Sequence, residues 1–213
     1  MPMDLTLSPE LERLRRRVAA IVDRRVLPLE DDPATWGEGE NVREDLLAEL
    51  RAEARAAGLW CPQVSKARGG MELGTVGMAV LYEEMGRARF GPAVFNCAPP
   101  DDGNMICLER CATEAQKDRW LDPIVRGEAR SAIVMTEPHP GSGSDPGGMM
   151  RTRAEKRGDR YVVRGRKWFI TGAEGAKHFI LLARTADDPR RGLTALMFDA
   201  GQPGWRLLRR IPI

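Results

Sequence analysis

The spacing of apolar residues changes period near residue 130, and this limits the chain to a helical part followed by a β part. Before that point the apolar positions fall three and four apart. Leu11, Leu14, Val18, Ile21 and Val22 form one such stripe, opened by Ser8 as cap and Pro9 as first helical residue. Pro28 is expected to end it. A loop is expected over 31–41, then a second helix capped by Asn41, with Leu46, Leu47, Leu50, Ala54 and Ala57 inward and Gly58 as its stop. A basic Gly-rich loop follows over 66–70, then helices over 75–87 and 99–111. Thr113-Glu114-Ala115-Gln116 reads as a capping box opening a fifth helix, with Trp120 and Leu121 inward and Gly127 closing it.

After residue 130 the runs are short and split by turn residues. Strands are expected over 131–135, 152–156, 161–163, 167–171, 179–184, 193–198 and 205–208, with tight turns at Gly158-Asp159 and Arg164-Gly165. Pro138 cannot continue a ladder, and 139–148 is rich in Pro, Gly and Ser and reads as loop. The expectation is an α+β protein: an all-helical domain over 1–130 and an antiparallel β-barrel-like domain over 131–213.

Composition excludes several classes. The 33 basic and 31 acidic residues leave a net charge of +2, which predicts no general affinity for nucleic acid or anionic membrane. No apolar run approaches the roughly 18 residues of a membrane span, and the first seven residues do not read as a secretory leader, so a cytoplasmic protein is expected. Cys61, Cys97, Cys107 and Cys111 have no zinc-type spacing with His139 or His178. They read as buried or idle thiols of a reducing compartment, Cys107 and Cys111 sharing one helical face. No metal site is expected.

The chain has neither a strand-to-helix G-x-G-x-x-G nor a Walker-type lysine loop. Counted from Gly141, a Gly-x-Ser-x-Gly elbow would end on residue 145, which is Asp145, so a hydrolase elbow is unsupported. The informative feature is a combination. Met135-Thr136-Glu137-Pro138 and a Gly-Ser loop ending in Asp145 precede Gly165-Arg166-Lys167-Trp168-Phe169-Ile170-Thr171-Gly172. Upstream stand 113–121, Pro123 and Gly127. Together they resemble the acyl-CoA dehydrogenase family, and the resemblance runs from Leu11 to Ile213.

The resemblance implies an FAD enzyme that desaturates an acyl-CoA thioester between its α and β carbons, as in fatty acid β-oxidation. It implies flavin contacts from Ile133, Met135, Thr136, Gly143, Ser144, Phe169, Ile170 and Thr171, with Ser144 also near the acyl-CoA. Thr136 and Thr171 stand where apolar strands meet loops and can present hydroxyls beside a flat apolar face. Counting forward from Pro138 would place the Gly-Ser pair at Gly141-Ser142; counting back from Asp145 gives Gly143-Ser144, the preferred register. Glu137 receives no chemical role. An electron-transferring flavoprotein is the implied electron acceptor.

Family members continue into a C-terminal helical bundle that carries the glutamate base and much of the oligomer interface. That bundle is absent here and no residue matches the base, so no catalytic residue is assigned. A homo-oligomer, or a partner chain supplying the bundle, is expected. Competing readings are a non-catalytic fragment that binds acyl-CoA or a subunit, and a flavin oxidase or monooxygenase of the same fold. Phe95-Asn96-Cys97-Ala98-Pro99 with Gly103-Asn104-Met105 further resembles a subgroup of longer members that leans toward long-chain or hydroxylated acyl groups.

Overall fold

The structure, a computed structural model, describes residues 6–37, 41–147, 150–188 and 191–211. It divides into two compact units, Met1–Ala98 and Pro99–Ile213. The packing division therefore falls earlier than the change of pattern near residue 130, because the helices after Pro99 pack with the sheet. Among the described residues no helix is long and apolar enough to cross a membrane.

The first unit is helical. α1 (Pro9–Ile21) starts where the Ser8 hydroxyl accepts from Leu11 N at 3.2 Å, and it buries Val18 and Ile21. It does not stop at Pro28. The chain passes through a π turn over Val22–Val26 into α2 (Leu27–Glu30), where proline in the first turn needs no N–H. α3 (Glu44–Ala56) is flanked by Arg43 at the cap position instead of Asn41, whose side chain accepts from Val42 N at 2.9 Å. Gly58, at φ 64°, ends α3 as expected. Gly58 N donates to Arg55 O at 2.8 Å and Leu59 N to Ala54 O at 2.9 Å, so the last carbonyls are satisfied. α4 (Thr75–Met85) buries Leu81 and Met85, and the short α5 (Gly91–Val94) follows.

The second unit opens with α6 (Asp101–Cys111). Then come α7 (Glu114–Gln116), a π turn over Lys117–Leu121 and α8 (Asp122–Val125). The capping box is present: Gln116 Oε1 accepts from Thr113 N at 2.9 Å and Thr113 Oγ1 from Gln116 N at 3.4 Å. Five strands follow: β1 (Ser131–Val134), β2 (Arg153–Arg157), β3 (Arg160–Arg164), β4 (His178–Arg184) and β5 (Leu193–Asp199).

The sheet runs β1-β4-β2-β3, with β5 also on β4. β2 and β3 form an antiparallel hairpin, and β4 pairs antiparallel with β5 along Phe179↔Phe198 and Leu181↔Leu196. The expected all-antiparallel, barrel-like arrangement is corrected on two counts. β1 pairs parallel with β4 in the register Ser131↔His178 to Val134↔Leu181, so the sheet is mixed. The long connection over 135–177 makes that pairing possible, since parallel neighbours need a crossover of a dozen or more residues. Among the described residues the sheet is also open.

Two expected strands, 167–171 and 205–208, are not in the ladder. Phe169 sits at φ 49°, outside strand geometry. Trp205 instead closes the core: its ring lies 4.6 Å from Phe179 and 5.4 Å from Phe198, which stack on each other at 4.8 Å. Around them pack Ala132, Val134, Ala154, Leu181 and Ala183.

A buried polar knot fixes β1 to α6. Asp101 Oδ1 accepts from both Ser131 N and Ser131 Oγ at 2.6 Å, and Asn104 Nδ2 donates to Ser131 Oγ at 2.9 Å. All three side chains are nearly solvent-free, and each has partners, so the burial carries no unpaired polar cost here.

Candidate functional site

The site grows from the end of β1. Ala132 and Val134 point into the core, so the alternation of a strand turns Ile133 outward, and it is 40% exposed. Beyond Val134 the backbone is taken up by the segment 166–170. Lys167 Nζ donates to Met135 O at 2.7 Å, and Trp168 N donates to Thr136 O at 3.1 Å. Two residues further, Ile170 packs against the sheet core, and Ala173 N returns to Ile170 O at 3.2 Å. Phe169 is thus held between two anchors. Its φ of 49° is unfavourable for a side chain with a Cβ, and the residue is 54% exposed. Backbone strain of this kind clusters at binding and catalytic sites, which makes Phe169 a candidate. The Trp168 ring lies beside it, 4.7 Å away and 36% exposed.

Glu137 supports this arrangement from below. It is 2% exposed. Its carboxylate accepts from Arg151 N at 2.7 Å, Thr152 N at 2.8 Å and Ser142 N at 3.3 Å, and Lys167 Nζ lies 3.2 Å from Oε1. Burial works against its charge, but the backbone N–H groups and the Lys167 ammonium outweigh it and hold the carboxyl down to about 2. Burial in turn pulls the Lys167 ammonium below its usual range, against the opposing pull of Glu137. One ion pair therefore joins four stretches of chain: 135–137, 141–143, 151–152 and 166–168.

Two glycines make close approaches that only glycine permits. A Cβ on Gly141 would lie 2.5 Å from Glu137 Oε2, and one on Gly165 would lie 2.2 Å from Thr152 Oγ1. Gly143 has a different task. It stands at φ 60° with open space around it, and its carbonyl accepts from Glu137 N at 3.0 Å. So the loop is closed by Gly141 over Glu137 and turned by Gly143.

The structure therefore brings Met135 and Thr136 against 167–168 and sets Gly143 beside Glu137. Thr136 is half-buried, whereas Ser144 and Thr171 are exposed at the far ends of the two segments. Ile170 turns inward, toward the sheet core. The outward apolar groups Ile133, Trp168 and Phe169 suit a flat aromatic ligand. Lys167 and the full role of Glu137 were missed from sequence. For Lys167 the available signal was its place directly before the apolar run Trp168-Phe169-Ile170. Among the described residues no group of three or more candidate metal ligands occurs.

The residues 8–128 match the N-terminal domain of the acyl-CoA dehydrogenases, and 132–212 match their middle domain. The chain belongs to the acyl-CoA dehydrogenase family. It is 32% identical over 211 residues to acyl-CoA dehydrogenase family member 11 of Rattus norvegicus, covering 92% of this chain and 26% of that protein. It is 29% identical to (R)-benzylsuccinyl-CoA dehydrogenase of Thauera aromatica, covering 99% of this chain and 54% of the relative. Among solved structures, a Mycobacterium abscessus protein assigned to the acyl-CoA dehydrogenases superposes with a TM-score of 0.83 at 32% identity, over 98% of this chain and 54% of that one. The FAD complex of PigA superposes with a TM-score of 0.75 at 26% identity, over 95% and 51%. The chain thus spans between a quarter and about half of the length of these relatives.

Proposed function

We propose that this chain is the FAD-binding part of a cytoplasmic acyl-CoA dehydrogenase that forms an α,β double bond in an acyl-CoA thioester. The observation that carries this is Phe169, held outward at φ 49° between its anchors on Met135, Thr136 and the sheet core. In this reading Phe169 lies against the flavin ring, Ile133 and Met135 shape its apolar surroundings, and Ile170 stands behind it on the core side. Thr136, Thr171, Gly143 and Ser144 meet its polar edge, Ser144 also meeting the acyl-CoA. FAD, when bound, supplies the acceptor for the β-hydrogen and its electron pair. An electron-transferring flavoprotein is the proposed next carrier. Long-chain or hydroxylated acyl groups are the proposed substrates, and a homo-oligomer or partner chain completes the enzyme.

Thr136→Val and Thr171→Val should each weaken FAD retention, because a hydrogen bond of this kind contributes on the order of 1 kcal/mol net. Flavin content after gel filtration and the rate of flavin reduction are the readouts. Wild-type values in both variants would remove these residues from the site.

Proton removal α to a thioester needs a base within hydrogen-bond reach. Glu137 does not qualify: it is buried, its oxygens are occupied and its proton affinity is low. The 213 residues alone should therefore give little turnover with saturated acyl-CoAs and an artificial electron acceptor. Robust turnover would place a base within them and contradict this reading.

A further inference from the structure

Outside the flavin surface, α6 carries two cysteines one helical turn apart, Cys107 and Cys111. Both are free and exposed, whereas Cys61 and Cys97 are buried. We infer that Cys107 and Cys111 form a two-thiol site for a soft, thiophilic centre that needs only two protein ligands, specifically a monosubstituted trivalent arsenical.

The helix geometry selects this class. Residues i and i+4 of a helix hold their Cβ atoms about 5–6 Å apart. A disulfide needs about 3.5–4.5 Å, so closing one here would force the backbone of α6 to shift. A single atom bridging both sulfurs adds two metal–sulfur or arsenic–sulfur bonds to the span, on the order of 2.3 Å each for a zinc–thiolate bond. The pair can therefore be bridged without bending the helix. The ligand number narrows the class further. Among the described residues no third Cys, His, Asp or Glu completes a cluster with them, so a four-ligand zinc site is not formed. A trivalent arsenic carrying one organic group takes two thiolates and no more.

The thiols are also suited to this exchange. Burial, and Cys111 beside it, push the Cys107 thiol above its ordinary range, so it stays protonated at neutral pH. It is then a poor target for alkylation or peroxide, which need the thiolate. Condensation with an arsenical needs no standing thiolate. With phenylarsine oxide, two S–H bonds and one As=O bond are lost, two As–S bonds form, and one water leaves. Arsenic stays trivalent and no electron is transferred. The second As–S bond forms within one molecule, which gives the pair its advantage over two separate thiols.

The test treats the native 213-residue chain with one equivalent of phenylarsine oxide, then washes it with excess 2-mercaptoethanol and records the intact mass. One phenylarsenic adduct should survive the wash, with two thiols lost to later alkylation after unfolding. Both cysteines are exposed, so Cys107→Ser and Cys111→Ser should fold normally, with unchanged thermal unfolding, yet each should lose the adduct. At least a tenfold excess of monothiol over that needed for these variants should be required to strip the wild type. An adduct that survives equally in either variant, or that the wild type does not retain, overturns the proposal. So does an adduct that maps to Cys61 or Cys97.

Discussion

Replacing Glu137 by alanine should destabilise the second unit by about 3–5 kcal/mol, the cost of breaking a buried ion pair by removing one partner. Lys167 would be left charged beside Met135 O, and the N–H groups of Arg151 and Thr152 would lose their acceptor. Glu137→Gln keeps the shape but turns an amide donor toward groups that are themselves donors, and it should be nearly as damaging. The pH dependence gives an independent signature. The folded carboxyl titrates at about 2, below its ordinary 4.5. A depressed carboxyl contributes stability that is present above about 4.5 and is lost as pH falls toward about 2. Urea unfolding at several pH values should show this acid limb in the wild type and a weakened one in Glu137→Gln. Equal stability at neutral pH in all three proteins would show that the ion pair does not hold the site together.

Phe169→Gly should weaken flavin binding without a matching loss of stability. A left-handed backbone costs a residue with a Cβ about 1–2 kcal/mol, and glycine adopts it freely. Glycine also brings a more flexible unfolded chain, which costs about 0.5–1 kcal/mol. Phe169 is 54% exposed, so the part of its area that is buried and lost with the ring is about half and offsets some of that gain. The net effect on thermal unfolding should lie between zero and a modest gain. FAD affinity should instead fall at least tenfold, a loss of about 1.4 kcal/mol, because the aromatic face proposed to lie on the ring is gone. Phe169→Leu should lose affinity without the gain in stability. A destabilised Phe169→Gly with unchanged FAD affinity would make Phe169 an ordinary packing residue.

Features governed by neighbouring residues were readable from the chain. The Ser8 cap, the Thr113–Gln116 capping box and the Gly58 stop depend on contacts within five residues, and all three stand where the sequence puts them. Pro28 was misread because a proline ends a helix only when it is not in the first turn of the next one. The runs 167–171 and 205–208 have strand-like composition, but a ladder needs a partner in register, which composition does not supply. The parallel pairing of β1 with β4 was hidden for the same reason. At the site, the two motif segments 135–138 and 165–172 stood out through family resemblance, while the role of Glu137 in joining them did not. Its partners at 142, 151–152 and 167 come from three separate places along the chain, and only the folded backbone brings them together.

The most direct test of the flavin surface is a titration of the 213-residue chain with FAD, followed by the flavin absorbance and the quenching of tryptophan fluorescence. Trp168 lies beside Phe169 and should report on occupancy. The account predicts saturable binding of one FAD per chain, a further spectral change on adding an acyl-CoA thioester, and a curve displaced at least tenfold for Phe169→Gly. A wild-type chain that shows no saturable FAD binding, or that binds with the same affinity as Phe169→Gly, would contradict it.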